Sequence, residues 1–311
     1  VDKVISYAEN QNAGAWQNTL VFMGDDGNGN AHMRDVNDAA IETAQRHPGY
    51  QIRKVMWDAY TRETSSTGNS YPEVSKLVKQ YQQQGALVMD YAGHGRADQV
   101  SHENVLRLAD FQQFSNQNLP LWITASCDIM PYDGSTATIG ETAVLNSKGG
   151  AIAFYGTART VFVTQNKVMN MAFLRHVLTV EDGKAITLGE AQRRAKNEMI
   201  SKRLDTSVNM LQYQLLGDPA LSLNLPTAAL VIDSINGIAT DGTATQQAQL
   251  RAGSIARVVG HVADAPDFSG IVNATVRDSE ETIVCKLNIG HGTPRCILPF
   301  GVTATVDARA Q

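Results

Sequence analysis

A histidine and a cysteine each follow an apolar run in this sequence, and together they could carry out acyl transfer. His94 lies between two glycines in the stretch DYAGHGR, residues 90–96, directly after the apolar residues 86–89. Cys127 ends a second apolar run in the stretch LWITASCD, residues 121–128. A thiolate attacks carbonyl carbon well, and a nearby imidazole can take the thiol proton and later protonate the leaving amine.

The glycines beside His94 favour the same chemistry. Glycine has no side chain, so the backbone around it can approach a ligand closely. We therefore predict that the N–H groups of Gly95 and Cys127 stabilise the oxyanion that develops during attack. A lone histidine in a loop or a lone cysteine at a strand end is more often structural. It is the matched placement of His94 and Cys127 that favours catalysis.

The elements that must position these residues indicate an α/β domain. From about residue 19 to residue 225, short apolar runs alternate with amphipathic stretches, which predicts βαβ units and a mostly parallel sheet with helices on both faces. The predicted strands are 19–23, 51–57, 86–91, 121–126 and 151–155, and the predicted helices are 35–47, 72–84, 103–114, 140–147, 165–178 and 187–203. Catalytic groups collect at the carboxyl ends of parallel strands, so we expect His94 and Cys127 to meet there.

The pattern changes at residue 226. Beyond it, short strings of Val, Ile, Thr and Ala alternate with turn signals and show no helical period. We therefore predict two domains, an α/β domain over 1–225 and an all-β, immunoglobulin-like module over 226–311 that is partial. Cys285 and Cys296 flank a turn-rich segment and could form a disulfide in an oxidising compartment, although free thiols in a reducing cell fit the spacing equally well.

An oxygen-rich loop, GDDGNGNAHMRD at residues 24–35, follows the first predicted strand. Its spacing imitates the start of an EF-hand but lacks the required glycine and the bidentate glutamate. A looser calcium site that uses Asp25 and Asp26 is open beside the simpler interpretation as a turn. Because the loop leaves the same sheet edge, Asp25, Asp26 or Asp35 could instead accept a hydrogen bond from His94 and hold its tautomer.

The composition narrows the classes of function. The chain has 311 residues, of which 43% are hydrophobic and 18% charged, which is ordinary for a packed globular protein. The net charge of −5 and the lack of a basic stripe argue against nucleic-acid binding. No apolar run approaches the roughly 18 residues that a membrane-spanning helix needs. No cofactor motif is present, and four further histidines, His47, His102, His176 and His261, are interpreted as surface or packing residues.

The motifs around His94 and Cys127, which lie 33 residues apart, resemble those of the gingipain-type cysteine peptidases of family C25 and clan CD. Five stretches together resemble, more specifically, the PorU-like sortases of the type IX secretion system. These stretches are GDDGNGNAHMRD (24–35), DYAGHG (90–95), ITASCD (123–128), YQLLGDPALSL (213–223) and GHVADAPDFSGIVNATVRD (260–278).

This resemblance implies a caspase-like fold with Cys127 as the nucleophile and His94 as the general base and acid. It implies that Gly95 and Cys127 supply the oxyanion donors, and Asp35 is our candidate for the carboxylate that orients His94. It implies no required cofactor, although a structural calcium ion is compatible with it. Family members are longer than this chain, so we expect further regions on both sides of it.

The resemblance also implies a location and partners. We expect an enzyme at the cell surface, on the extracellular face of the outer membrane and beside outer-membrane components of the secretion system. Its protein substrates would be secreted cargo, from which it removes C-terminal signal domains and whose new carboxyl end it transfers to lipopolysaccharide. Two alternatives are a catalytically silent caspase-like scaffold of the same machinery and a general secreted gingipain-like protease.

Overall fold

The computed structural model describes residues 1–66, 68–226, 230–246, 256–263, 272–278, 283–289 and 304–310. The chain divides into two compact units, Val1–Leu225 and Pro226–Gln311. Among the helices of the described residues, none is both long enough and apolar enough to cross a membrane.

The first unit contains thirteen short strands and eight α-helices within its described residues. The strands are β1 (Thr19–Gly24), β2 (Gln51–Met56), β3 (Glu63–Ser65), β4 (Gly68–Ser70), β5 (Val88–Ala92), β6 (Gly95–Arg96), β7 (Gln99–Val100), β8 (Leu106–Arg107), β9 (Leu121–Ala125), β10 (Ala153–Thr157), β11 (Val180–Glu181), β12 (Lys184–Ala185) and β13 (Tyr213–Leu216). The helices are α1 (Asp2–Ala8), α2 (Gly27–Arg46), α3 (Pro72–Gln84), α4 (Leu108–Gln113), α5 (Ile139–Leu145), α6 (Val163–Val177), α7 (Leu188–Ser201) and α8 (Asn209–Gln212). Two 3₁₀ turns lie at Ala15–Asn18 and Trp57–Ala59.

A six-stranded sheet forms the centre of this unit, with the strand order β13-β10-β9-β5-β1-β2. Neighbouring strands are parallel from β10 to β2, and only β13 at the edge runs antiparallel to its neighbour. Helices α2, α6 and α7 bury apolar side chains against one face, and α3, α4 and α5 do so against the other. The expected α/β class, with a mostly parallel and doubly covered sheet, is confirmed.

The central strands β5 and β9 are buried at every residue. Their side chains alternate between the two hydrophobic clusters: Val88 and Ala92 of β5 pack on the α2 and α6 side, whereas Met89 and Tyr91 pack on the α3 side. Because both faces are covered, these strands show a continuous apolar run in the sequence rather than an alternating one.

The predicted helix over residues 103–114 is correct only in its second half. Only Leu108–Gln113 is helical, and the residues before it form a turn and strand β8. Asn104 adopts a left-handed conformation with φ of 55°, which a right-handed helix does not accommodate. Asp110 accepts a hydrogen bond from the Arg107 N–H at 2.8 Å, so the helix begins after Arg107.

The second unit contains two three-stranded antiparallel sheets among its described residues. Its strands are β14 (Leu230–Ile235), β15 (Ile238–Ala239), β16 (Val258–Val262), β17 (Val272–Asp278), β18 (Ile283–Ile289) and β19 (Ala304–Ala310). The immunoglobulin-like arrangement stays a prediction. So does the disulfide, because Cys285 lies in β18 while Cys296 falls outside the described residues.

Asp90 places a carboxyl group in the core of the sheet. Asp90 of β5 is fully buried, and in the strand register it lies between Phe22 and Ile123. Asn170 donates a hydrogen bond to its Oδ2 atom at 3.0 Å, whereas Oδ1 has no hydrogen-bond partner among the described residues. Burial raises the pKa of Asp90 to about 7, and the hydrogen bond from Asn170 offsets only part of this rise. Ionisation of Asp90 therefore destabilises the folded state.

We expect Asp90→Asn to stabilise the protein at high pH. Because the folded state holds Asp90 protonated while the unfolded chain releases the proton above about pH 3.8, wild-type stability falls as pH rises from there to about 7. The variant avoids this loss, so its free energy of unfolding at pH 8 should exceed that of the wild type by up to about 4 kcal/mol. The difference should vanish near pH 4.

Urea unfolding of both proteins at the two pH values measures this effect. Asp58→Asn, at an exposed position, controls for the loss of a carboxyl group at the surface. An equal difference between Asp90→Asn and the wild type at pH 4 and pH 8 would contradict the prediction.

Candidate active site

His94 and Cys127 follow neighbouring strands at equal distances from a register pair. In the parallel pairing of β5 and β9, Ala92 lies opposite Ala125, and each candidate residue comes two positions later. The Gly93 N–H extends this pairing by donating to the Ala125 carbonyl oxygen at 3.2 Å. The structure thus brings His94 and Cys127 to the same edge of the sheet, with both side chains half-buried.

The loop that carries Cys127 is tied to the end of the next strand, β10. The Thr157 hydroxyl donates to the Ser126 carbonyl oxygen, and the Thr157 carbonyl accepts from the Met130 N–H at 3.1 Å. Asp128 has a left-handed φ of 46°, so the backbone reverses directly after Cys127. The thiol is free, and its Sγ lies 3.5 Å from the Val161 carbonyl oxygen.

The carboxylate of Asp25 organises the opposite side of the site. Asp25 is 1% exposed, and four donors surround it. Its Oδ1 accepts from the His32 ring Nδ1 and from the Gly27 N–H at 3.1 Å. Its Oδ2 accepts from the His94 N–H at 2.6 Å and lies 3.0 Å from the Tyr91 hydroxyl. Asp25 thereby links β1, the start of α2 and the loop after β5.

The same contacts keep Asp25 ionised. Burial alone would raise the pKa of this carboxyl, but the hydrogen bond and the charge of His32, together with the His94 N–H, outweigh burial and hold the pKa below its ordinary value. The negative charge near His94 is therefore a fixed feature of the site.

The structure does not bring Asp35 to His94, which differs from the sequence-based expectation. Asp35 lies in α2 and faces α6, where its Oδ1 is 3.4 Å from the Lys167 amine. That amine is the ion-pair partner of Asp35 among the described residues. The carboxylate that contacts His94 is Asp25, and it binds the main chain of His94 rather than the ring.

The calcium alternative finds little support in the arrangement of Asp25 and Asp26. Both oxygens of Asp25 already accept from protein donors, and Asp26 accepts from the Tyr71 hydroxyl at 2.7 Å. In the part of the chain that the structure describes, no group of three or more His, Cys, Asp or Glu side chains is arranged to hold a metal ion. A calcium ion at this loop stays a prediction.

Three residues enclose the imidazole of His94. A Cβ atom at Gly27 would lie only 2.6 Å from Cδ2 and 2.8 Å from Nε2 of the ring, so a glycine is needed there. His32 meets the ring edge-on, with the ring centroids 4.9 Å apart and the planes at 84°. His102 stacks on it, with a centroid distance of 4.0 Å and an interplanar angle of 6°. The ring presents its Nε2 edge to the loop after β1, which leaves Nδ1 on the side away from that loop.

These surroundings favour the neutral imidazole. Burial lowers the pKa of His94, the charge of Asp25 raises it, and the neighbouring His102 and His32 lower it again, with a net pKa below the ordinary value of histidine. An imidazole that is neutral near pH 7 can accept a proton, which is what a general base must do.

Gly95 packs directly against the residue before the cysteine. A Cβ atom at Gly95 would lie 2.4 Å from Ser126 Oγ, so a larger residue would push the two loops apart. The Ser101 N–H donates to the His94 carbonyl at 2.8 Å, so His94 and Ser101 form a hydrogen-bonded pair. The following pair in the antiparallel ladder of β6 and β7 is Gly95 with Val100. Hydrogen-bonded and non-hydrogen-bonded pairs alternate in an antiparallel ladder, so the Gly95 N–H points away from β7. The oxyanion role of Gly95 and Cys127 stays a prediction.

Several residues of this site could not be identified from the sequence. His102 is exposed, as interpreted from the sequence, and its ring packs on that of His94, a contact that the sequence did not indicate. Gly27, His32 and Tyr91 likewise gave no signal for their contacts. The only available hint was the clustering of polar residues after the first strand, which did point to Asp25 as one of the candidate carboxylates.

Comparison with known proteins places this geometry in context. The sequence profile of peptidase family C25 matches residues 1–224. No curated protein sequence matches the chain significantly. The structure is similar to that of the Arg specific cysteine proteinase gingipain R, with 16% identity, 99% of this chain and 68% of that chain covered, and a TM-score of 0.53.

Similarity to the Porphyromonas gingivalis RgpB pro- and mature domains is comparable, with 14% identity, coverage of 99% and 72%, and a TM-score of 0.56. At such identities both likenesses show the fold alone. Dimeric latent PorU from Porphyromonas gingivalis aligns with 14% identity over 94% of this chain and 39% of that chain, at a TM-score of 0.25 that carries no argument.

We expect Gly27→Ala to displace the His94 ring, because the added methyl group would overlap its Cδ2 and Nε2 atoms. The thiolate of Cys127 should then form less readily, and alkylation by iodoacetamide at pH 7 should slow by about tenfold. Gly49→Ala is the matched control, since nothing lies within 4 Å of a Cβ atom there. Equal alkylation rates in the two variants would show that Gly27 does not constrain the ring.

We also expect Asp25→Asn and Asp35→Asn to differ in stability. At position 25 the amide would turn an NH₂ group toward protein donors in a buried site, which should cost about 3 kcal/mol or more of the free energy of unfolding. The pair of Asp35 with Lys167 is partly exposed, so its loss should cost less than about 1 kcal/mol. Guanidinium unfolding at pH 7 compares the two, and similar losses would refute the central role of Asp25.

Proposed function

The chain belongs to peptidase family C25, and from that premise we propose that it is a gingipain-like cysteine endopeptidase that removes C-terminal sorting signals from secreted proteins. The observation that carries the catalytic part is the register pair of Ala92 and Ala125. It puts a histidine and a cysteine at one sheet edge, which is the pairing that thiol-dependent acyl transfer needs.

The reaction follows from the chemistry of the two side chains. His94 takes the proton of the Cys127 thiol, and the thiolate attacks the carbonyl carbon of the scissile peptide bond. The tetrahedral oxyanion collapses as His94 returns the proton to the leaving amine, and a thioester on Cys127 remains. Because the Nε2 edge of the ring faces Gly27, Nδ1 is the atom proposed to exchange the proton.

The removal of C-terminal sorting signals is the role that the sequence resemblance implies. Its support is the set of five stretches that resemble those of PorU-like sortases, which includes the site residues Asp25, His94 and Cys127. The enzyme would act at the cell surface, on the extracellular face of the outer membrane and beside outer-membrane components of the secretion system. Its substrates would be cargo proteins that carry a C-terminal signal domain.

Transfer of the new carboxyl end to lipopolysaccharide is compatible with the exposure of the site. A thioester is resolved by water or by an amine, whichever reaches the carbonyl carbon in the correct orientation. His94 and Cys127 are both half-buried rather than enclosed. An acceptor amine could therefore approach the acyl-enzyme from the solvent side.

Labelling by an acyl-mimicking electrophile tests the catalytic part. We expect a peptide-based acyloxymethyl ketone to modify wild-type protein at Cys127 and to leave Cys127→Ala unlabelled. Hydrolysis of a peptide substrate by Cys127→Ala and by His94→Ala should fall by at least about 10³-fold. His47→Ala, which removes a histidine distant from this edge, is the control. Absence of labelling in the wild type would favour a catalytically silent scaffold.

Processing of a cargo protein tests the proposed removal of the signal domain and the transfer to an acceptor. The chain is incubated with a cargo protein that carries its C-terminal signal domain, with and without an amino-sugar acceptor, and the products are identified by mass spectrometry. We expect a single cut before the signal domain and, with the acceptor present, an amide-linked product. Cleavage of many unrelated proteins with no transfer would identify a general protease instead.

A further inference from the structure

Within the part of the chain that the structure describes, protein hydrogen bonds do not fix the orientation of the His94 ring. No hydrogen bond from the described residues reaches either ring nitrogen of His94, and the nearby carboxylate of Asp25 binds the main-chain N–H instead. His32 is also committed elsewhere, with Nδ1 on Asp25 and Nε2 at 3.0 Å from the Asn28 amide. Ring contacts must therefore orient the imidazole.

His102 makes the most extensive of these contacts. Its ring lies parallel to that of His94 at a centroid distance of 4.0 Å, which is face-to-face contact over the ring. His32 makes only a T-shaped contact with the ring, and Gly27 only limits how far the ring can move. Removal of His102 would uncover a face of the His94 imidazole.

The turn that carries His102 is built to hold it in place. Ser101 has a left-handed φ of 68°, and its N–H donates to the His94 carbonyl at 2.8 Å. The Ser101 hydroxyl oxygen accepts from the Trp57 indole at 3.3 Å and from the Glu103 N–H at 3.1 Å. These hydrogen bonds of Ser101 fix the position of His102 in the turn. The His102 side chain is exposed and therefore has no role in the hydrophobic core.

We propose that His102 is a positioning residue that holds the His94 imidazole in its reactive orientation by ring stacking. This inference rests on the proposed peptidase reaction of His94 and Cys127 and deepens it. A ring that rotates freely spends less time in the geometry that proton transfer requires, and small misplacements of catalytic groups are costly in rate.

The neighbouring His102 also lowers the pKa of His94. The titratable groups that act on His94 are Asp25, His32, His102 and Glu103. Two stacked imidazoles resist being charged together, because like charges at this distance repel. His102 therefore helps to keep His94 neutral, and its loss should alter the acid side of the pH profile as well as the rate.

Two variants separate stacking from charge. His102→Ala removes both, and we expect its kcat/KM for a peptide substrate to fall by about tenfold, mainly in kcat, since orientation rather than binding is lost. His102→Phe keeps a stacked ring and should restore most of the rate. In both variants the acid limb of the profile should move to higher pH, because the repulsion between the imidazoles is gone.

Controls address folding and the loss of a histidine elsewhere. Thermal unfolding checks that each variant is folded, and His47→Ala is the comparison. If His102→Ala retains the wild-type kcat and acid limb, or if His102→Phe is as impaired as His102→Ala, the proposal is overturned.

A second measurement does not depend on turnover. Titration of the His94 ring by NMR in the wild type and in His102→Ala should show the pKa of His94 rising toward its ordinary value in the variant. An unchanged titration would refute the stacking role. Failure of the peptidase proposal would show up separately, as absence of Cys127-dependent labelling in the wild type.

Discussion

A carboxylate that is almost wholly removed from water stays ionised only if donors satisfy both of its oxygens, because the desolvation of an unpaired charge costs several kcal/mol. Asp25 meets this condition with donors from Gly27, His32, Tyr91 and His94. These donors belong to the ends of separate elements, so the positions of the loops after β1 and β5 are set together. The imidazole environment depends on this one buried charge.

The second constraint is the register of the parallel sheet. Strands β5 and β9 are bonded side by side and buried on both faces, and a shift by one residue would exchange their two hydrophobic faces. Burial therefore fixes Ala92 opposite Ala125 and gives the loops of His94 and Cys127 a common origin. Both loops leave the sheet at the same edge, and the hydrogen bonds between Thr157 and the Cys127 loop hold that loop at the end of β10.

The parts of this arrangement that could be predicted from sequence are those governed by hydrophobic pattern. Five apolar runs predicted the parallel strands of the sheet, and placing His94 and Cys127 after two of them predicted a shared edge. The edge strand β13 and the turn around Asn104 were missed, because strand direction and left-handed turns depend on contacts that the local pattern does not contain.

The choice among carboxylates failed for a related reason. Asp25 and Asp35 have the same side chain and lie in the same stretch, and nothing local distinguishes them. What separates them is the direction of α2, which turns Asp35 toward Lys167, while Asp25 remains at the strand end. His102 was overlooked because it reaches His94 through a turn with a left-handed Ser101, a conformation that serine rarely adopts.

The placement of charges in the site suits a histidine that acts as a general base. A carboxylate hydrogen-bonded to the His94 ring would favour imidazolium and raise the pKa of the group that must accept a proton. Here the carboxylate binds the main chain of His94, and the ring that it does bind is that of His32. The negative charge can then order the backbone while the His94 ring, covered by His102, is left neutral. A fixed charge and a neutral base thus coexist within one hydrogen-bonded network.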